Sequence, residues 1–292
     1  MGAYKDRQGN HYKHDATPDT MIRFFYGTFV GRCMLEHMIM PGFSEFMRVV
    51  LSSRFSALFI DPFKRKYKIS LKDYKARRYR SFNAFFTREI KPEKRPICMD
   101  DNILISPCDG RLTIYDISDR LVVPIKNSEY SVKALLRNRE IAEEFYGGYC
   151  VVIRLTVDDY HRYCYCDDGY KSDDMFLPGF LHTVSPLVMD EYSIFSENQR
   201  VYTVIDSEHF GRLVQIEVGA LGVGRIENHD GEGEIRRGAE KGYFAFGGST
   251  IVLLLKKDSF IPDADLVRNT ADGYETIVKY GERIGCNEKY QG

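Results

Sequence analysis

The chain has 292 residues, with 41 Lys and Arg set against 42 Asp and Glu and a formal net charge of −1. That length buries a continuous apolar core in one large or two smaller domains, and the balanced charge leaves no field to draw nucleic acid along a face, so nucleic acid is excluded as a partner. Seven cysteines, at 33, 98, 108, 150, 164, 166 and 286, have neither the paired CxxC spacing of a zinc site nor the density of a secreted disulfide scaffold; they point to a reducing, cytoplasmic compartment and to no bound metal.

The first residues, MGAYKDRQGNHYKHD, are polar and lack the basic-then-apolar order of an export signal. Between Thr20 and Ile60 apolar residues are dense, yet Arg23, Arg32, Glu36, His37, Arg48 and Arg54 interrupt them before any run reaches the ~18 residues of a membrane span. From Pro18 to Tyr74 the apolar spacing is helical, broken at Pro41-Gly42 and Asp61-Pro62, and predicts two or three short helices. These helices read either as a packed helical subdomain or as a monotopic anchor lying on anionic lipid, and the two readings are compatible. The stretch from Lys64 to Arg80 is dense in Lys and Arg, suits a solvated helix face or lipid phosphate, and marks a boundary. We therefore expect an N-terminal helical, membrane-associating segment over 1–80 and a β-rich domain over 81–292.

After Ile103 the pattern turns to short apolar and β-branched runs: ILIS, RLTIYDI, LVVPI, YCVVIRLTV, VYTVI, LVQIEVGALGVGRI and STIVLLL. Helical spacing returns in VKALLRNREIAEEF between two of them, so the fold class is α+β.

Four separated segments carry a resemblance: Phe85-Phe86-Thr87-Arg88-Glu89-Ile90-Lys91-Pro92 running on to Arg95-Pro96-Ile97; Ser106-Pro107-Cys108-Asp109-Gly110; Asp159-Tyr160-His161-Arg162-Tyr163; and Gly242-Tyr243-Phe244-Ala245-Phe246-Gly247-Gly248-Ser249-Thr250. In order and spacing the chain resembles the phosphatidylserine decarboxylase family, in its shorter bacterial branch. The resemblance implies a proenzyme that cleaves itself between Gly248 and Ser249 into chains 1–248 and 249–292. Ser249 then becomes a covalent pyruvoyl cofactor that decarboxylates phosphatidylserine to phosphatidylethanolamine through a Schiff base. It also implies the partners: phosphatidylserine, an anionic membrane surface on the cytoplasmic side of the cell membrane, and the chain's own cleavage product in a tight heterodimer, with a homodimer of that unit as a further assembly.

Local chemistry agrees with this expectation. Glycines at 247 and 248 permit the unusual backbone that an N-to-O acyl shift demands, and residue 248 has no side chain to shield its carbonyl. A serine attacks only when a base takes its proton and a third group orients the base. By resemblance Asp109 belongs to the Asp-His-Ser arrangement of self-cleavage, and His161 matches the histidine associated with decarboxylation. The family's second histidine is replaced here by Cys164. Three candidates stay open for the vacated role: Cys164 as a thiolate, His161 acting in both steps, or His182 from the strand-like segment that follows. We place His161 and His182 ahead of Cys164, whose unperturbed pKa of ~8.5 leaves it protonated at neutral pH. Arg162 and Lys126 are candidate contacts for the lipid's anionic groups. The alternatives are a decarboxylase acting on another phosphoserine lipid, and a lipid-binding relative that does not mature. A serine hydrolase fits less well, because no Gly-x-Ser-x-Gly surrounds Ser249.

Overall fold

The computed structural model describes residues 3–13, 23–118, 120, 122–125, 128–183, 194–220, 225–245 and 249–288. Its centre is an eleven-stranded sheet made of β1 (Ala3–Lys5), β2 (His11–Lys13), β3 (Gly110–Asp116), β4 (Tyr149–Leu155), β5 (Gly169–Lys171), β6 (Met175–Leu177), β7 (Arg200–Ser207), β8 (Gly211–Gly219), β9 (Gly233–Ile235), β10 (Ser249–Leu255) and β11 (Glu275–Val278). The strands run in the order β9-β5-β7-β8-β10-β4-β3-β11-β1-β2, with β6 paired to β7. Strands β4 and β10 read as nearly unbroken apolar runs, the pattern of strands covered on both faces, and every residue of β10 is buried. On one face Val152, Val214, Ile216, Val218, Val252 and Leu254 pack under Leu135 and Leu136 and against Tyr26, Leu35 and Ile39. On the other, Ile153, Leu155, Leu213, Ile251, Leu253 and Leu255 share a core with Tyr163, Phe244 and Leu266. Burying each of these aliphatic side chains contributes roughly 1.5–3 kcal/mol.

Between β2 and β3 lie α1 (Phe29–Met38), α2 (Pro41–Ser52), a 3₁₀ turn (Arg54–Phe59), α3 (Ile60–Tyr67) and α4 (Phe82–Phe86). Thr28 caps α1 by accepting from Gly31 N, Pro41 occupies the first turn of α2, and Ser81 caps α4 by accepting from Ala84 N. The last turn of α3 carries Lys64, Arg65 and Lys66, which complement the helix dipole, and Lys68 closes it in the left-handed conformation. Inner side chains of this group, Leu51, Ile60, Phe82, Phe85 and Phe86, form one cluster with Ala245. Outer ones face solvent: Phe29 is 75% exposed, Phe55 82% and Leu58 77%. No helix among the described residues is long and apolar enough to cross a membrane.

Each predicted apolar run after Ile103 contains a strand, so the α+β expectation holds. The segment VKALLRNREIAEEF forms two short helices rather than one, Val132–Leu136 and Arg139–Glu143, because Arg137 turns left-handed and Asn138 caps the second by accepting from Ile141 N. The polar N-terminus, by contrast, carries a hairpin that apolar alternation does not reveal. Strand β1 pairs parallel to β11, Tyr4 stacks on Tyr12, and Arg7 bonds Asp263 and Asp265.

Candidate active site

Ser249 opens β10, wholly buried, opposite Gly219 of β8 and Leu155 of β4. Alternation along the strand puts its side chain on the face of Ile251 and Leu253, and Thr250 on the opposite face with Val252. Among the described residues neither Ser249 Oγ nor Thr250 Oγ1 has a hydrogen-bond partner. Leaving a buried hydroxyl unpaired costs ~1–3 kcal/mol, so an orphan of this kind asks for an explanation in function.

His161 supplies the second orphan. Strand β4 ends at Leu155 and the chain turns through Thr156–Asp159, where the Asp159 carboxylate accepts from Thr156 N and from Arg111 Nη1, both at 2.8 Å. His161 follows, fully buried, with Nδ1 3.0 Å from the Asp159 carbonyl oxygen. A carbonyl only accepts, so Nδ1 carries the hydrogen and Nε2 keeps its lone pair. Among the described residues Nε2 has no partner. Burial, aided by the Arg88 cation, lowers the His161 pKa to about 4 against the pull of Asp159 and Asp109, so the ring is a neutral base at pH 7. The His161 carbonyl accepts from Phe244 N at 2.9 Å, which ties this residue to the strand Glu240–Phe244 leading toward Ser249.

The other sequence candidates fall in different places. Asp109 is buried and gripped by Arg95, whose Nε donates to Oδ1 at 2.7 Å and whose Nη2 donates to Oδ2. Tyr280 N donates to Oδ1 at 2.9 Å, and Lys279 lies 3.6 Å from Oδ2. Asp109 thus acts on His161 through space, with no hydrogen bond joining them; the carbonyl of Asp159 orients the ring. The glycine after Asp109 is dictated by packing, since a Cβ on Gly110 would stand 2.9 Å from the Arg154 carbonyl oxygen. Cys164 is buried among Ile103, Ile105 and Cys286, and burial pushes its thiol up to about 12, so it is protonated at neutral pH. His182 packs beside Tyr26, with Nδ1 3.3 Å from the phenol oxygen, in the core on Thr250's face of the sheet rather than Ser249's. Its backbone reaches β8 through Asn198, which donates to both His182 O and Gly219 O. Arg162 is engaged by Thr87 O and Glu240. Gly248 and Lys126 lie outside the described residues.

Sequence reasoning gave no role to Phe86, Arg88 or Asp159, although all three stand in the quoted segments. Nor did it find the fully buried pair of Glu217 and Lys241, 2.7 Å apart. Glu217 lies on Ser249's face of the sheet, two residues before Gly219, and Lys241 turns inward at a register shift between Glu240 and Gly242.

The family model for phosphatidylserine decarboxylase matches residues 82–286. Phosphatidylserine decarboxylase proenzyme 2 of Clostridium acetobutylicum is 43% identical over 265 residues, covering 90% of this chain and 91% of that protein. The phosphatidylserine decarboxylase proenzyme of Clostridium perfringens is 39% identical over 272 residues, with 90% and 92% covered. That of Chlamydia muridarum is 39% identical over 275 residues, with 90% of each covered. On a match that takes in the Asp109, His161 and Ser249 segments together, the chain belongs to the phosphatidylserine decarboxylase family.

Proposed function

We propose that this proenzyme matures at Ser249, with His161 as the base, and then decarboxylates phosphatidylserine at the same place. One observation supports the assignment: Ser249 Oγ and His161 Nε2 are both buried and both unpartnered among the described residues, while Ser249 pairs with Leu155 at the end of β4, six residues before His161, and Phe244, five residues before Ser249, bonds the His161 carbonyl. His161 Nε2 takes the hydroxyl proton as Ser249 Oγ attacks the carbonyl carbon of residue 248 and passes it to the departing Ser249 nitrogen as the C–N bond gives way to an ester C–O bond. Loss of the Ser249 Cα hydrogen then expels residue 248 as a carboxylate and leaves dehydroalanine, which water hydrolyses with release of ammonia. The site fits the ketone so formed: Ser249 is wholly buried at the start of the central strand β10, opposite Leu155 and on the face of the sheet whose core holds Tyr163 and Phe244. When present, the pyruvoyl group supplies the electron sink that decarboxylation at an α-carbon needs. His161 Nε2, which has no hydrogen-bond partner among the described residues, would hold or return a proton there.

The test is intact mass of the purified protein. Two polypeptides, 1–248 and a pyruvoyl-blocked 249–292, are expected, while Ser249→Ala stays one chain. A wild-type protein that remains one chain and releases no carbon dioxide from phosphatidylserine vesicles overturns the proposal in favour of a non-maturing lipid-binding relative.

We further propose that α1, α2 and the 3₁₀ turn lie in the headgroup region of the cytoplasmic leaflet. Supporting this, Phe29, Phe46, Val49, Phe55, Leu58 and Phe59 are exposed while Leu35 and Leu51 are buried, and the helix that follows the 3₁₀ turn carries the basic run Lys64–Lys66. All seven cysteines are free, in keeping with a reducing compartment.

A further inference from the structure

Orientation of His161 depends on one carbonyl oxygen, that of Asp159. Arg88 holds that oxygen. Its Nη2 donates to Asp158 O and Asp159 O, both at 3.1 Å, while Nη1 reaches Phe85 O and Phe86 O at 3.5 and 3.4 Å. The guanidinium stacks on the rings of Tyr74 and Phe85, 4.6 and 5.1 Å from their centroids. Arg88 is 1% exposed, its Nε has no partner, and among the described residues its hydrogen bonds go to carbonyls, none to a carboxylate. A guanidinium buried without a counter-ion is expensive, and a packing role alone would be met by Leu or Met without that cost. Neighbours in the same strip grip the same turn. The Phe86 ring lies 4.1 Å from the His161 ring, Ile90 N donates to Tyr160 OH at 3.4 Å, and Arg162 Nε donates to Thr87 O at 2.9 Å.

We propose that Arg88 is the positioning residue of His161: by clamping the Asp158 and Asp159 carbonyls it fixes the ring's orientation and its Nδ1–H tautomer, leaving the Nε2 lone pair for Ser249. The proposal rests on the reading of His161 as the base. Charge works in the same direction. The carboxylates facing His161 are Asp159, neutralised by Arg111 at 2.8 Å, and Asp109, neutralised by Arg95, so among the described residues Arg88 is the charge near the ring that lacks an opposite partner, and it opposes protonation of the ring.

The experiment uses ¹⁵N-histidine NMR on the full-length Ser249→Ala protein, which stays one chain, and cleavage time courses with Ser249 present. In the Ser249→Ala protein His161 should show a protonated Nδ1, a lone-pair Nε2 and a titration midpoint of about 4. Arg88→Lys keeps the charge and loses the fork, so it should mix the tautomers while the midpoint stays put. Arg88→Met loses both and should also raise the midpoint by about one pH unit. Both variants should slow self-cleavage about tenfold or more. If Arg88→Met retains the Nδ1–H tautomer and the low midpoint, the proposal is overturned. If Arg88→Met does not fold, Arg88→Lys decides, and an unmixed tautomer with unslowed cleavage overturns it. His161→Ala separates the two readings. Normal cleavage in that variant removes His161 as the base, whereas blocked cleavage together with unaffected Arg88 variants removes only the role of Arg88.

Discussion

Acidifying the uncleaved protein from pH 7 to pH 5 should cost it about 2 kcal/mol of folding stability through His161 alone, and about 3 kcal/mol by pH 4. The perturbation is burial of an imidazole whose pKa falls to about 4 in the fold, against 6.5 in the open chain. Well above pH 6.5 the ring is neutral in both states and contributes nothing to the pH dependence. Between 6.5 and 4 the unfolded chain takes up a proton that the folded one refuses, so stability is lost as pH falls and the loss levels off below the folded value. At pH 5 the ratio of binding polynomials is about thirtyfold, hence the 2 kcal/mol. The assay is urea unfolding of the Ser249→Ala protein at pH 7, 6, 5 and 4, beside the same protein carrying His161→Gln. Glutamine keeps a donor for the Asp159 carbonyl but does not titrate in this range, so carboxylate titrations common to both proteins cancel in the difference. The two curves should converge at acid pH by the amounts given. Parallel curves would refute the burial argument and, with it, the neutral-base reading of His161.

Three other outcomes follow from the same geometry. Lys241→Met leaves the buried Glu217 without its counter-ion, with only Gln215 and Asn228 still donating to it, and should cost about 3–5 kcal/mol, whereas adding Glu217→Gln should restore most of it; a double variant as unstable as the sum of the singles, by thermal melting, refutes the coupling. Cys164→Ala should still yield two chains, since a thiol held near pKa 12 is no base at neutral pH, and an intact single chain on a denaturing gel would contradict this. Phe55→Asp with Leu58→Asp should weaken co-sedimentation with phosphatidylserine-containing vesicles by about 100-fold or more, given roughly 1.5–3 kcal/mol for each apolar side chain withdrawn from lipid, while cleavage at Ser249 proceeds. Unchanged sedimentation would remove these side chains from the lipid contact.

What the sequence disclosed and what it withheld divide along a physical line. Strands β4 and β10 were legible because burial on both faces writes itself as Cys-Val-Val-Ile and Thr-Ile-Val-Leu-Leu-Leu, and Ser249 was legible because the residues around it are few and chemically specific. The hairpin of β1 and β2 was not, since stacked tyrosines and the ion pairs of Arg7 hold it, and polar residues carry no periodic signal of that kind. The partners of His161 were hidden for a related reason. A base must be oriented by something, and sequence habit looks for a carboxylate such as Asp109; the proposed base, His161, is oriented by a backbone carbonyl, and any residue can present one. Only the fold shows that Arg88, 71 positions before Asp159 in the chain, is what holds that carbonyl still. The replacement at Cys164 looks different in that light. On the reading of His161 as the base, a second histidine is dispensable: burial keeps the ring neutral, and Asp159 and Arg88 fix the tautomer that leaves its lone pair free.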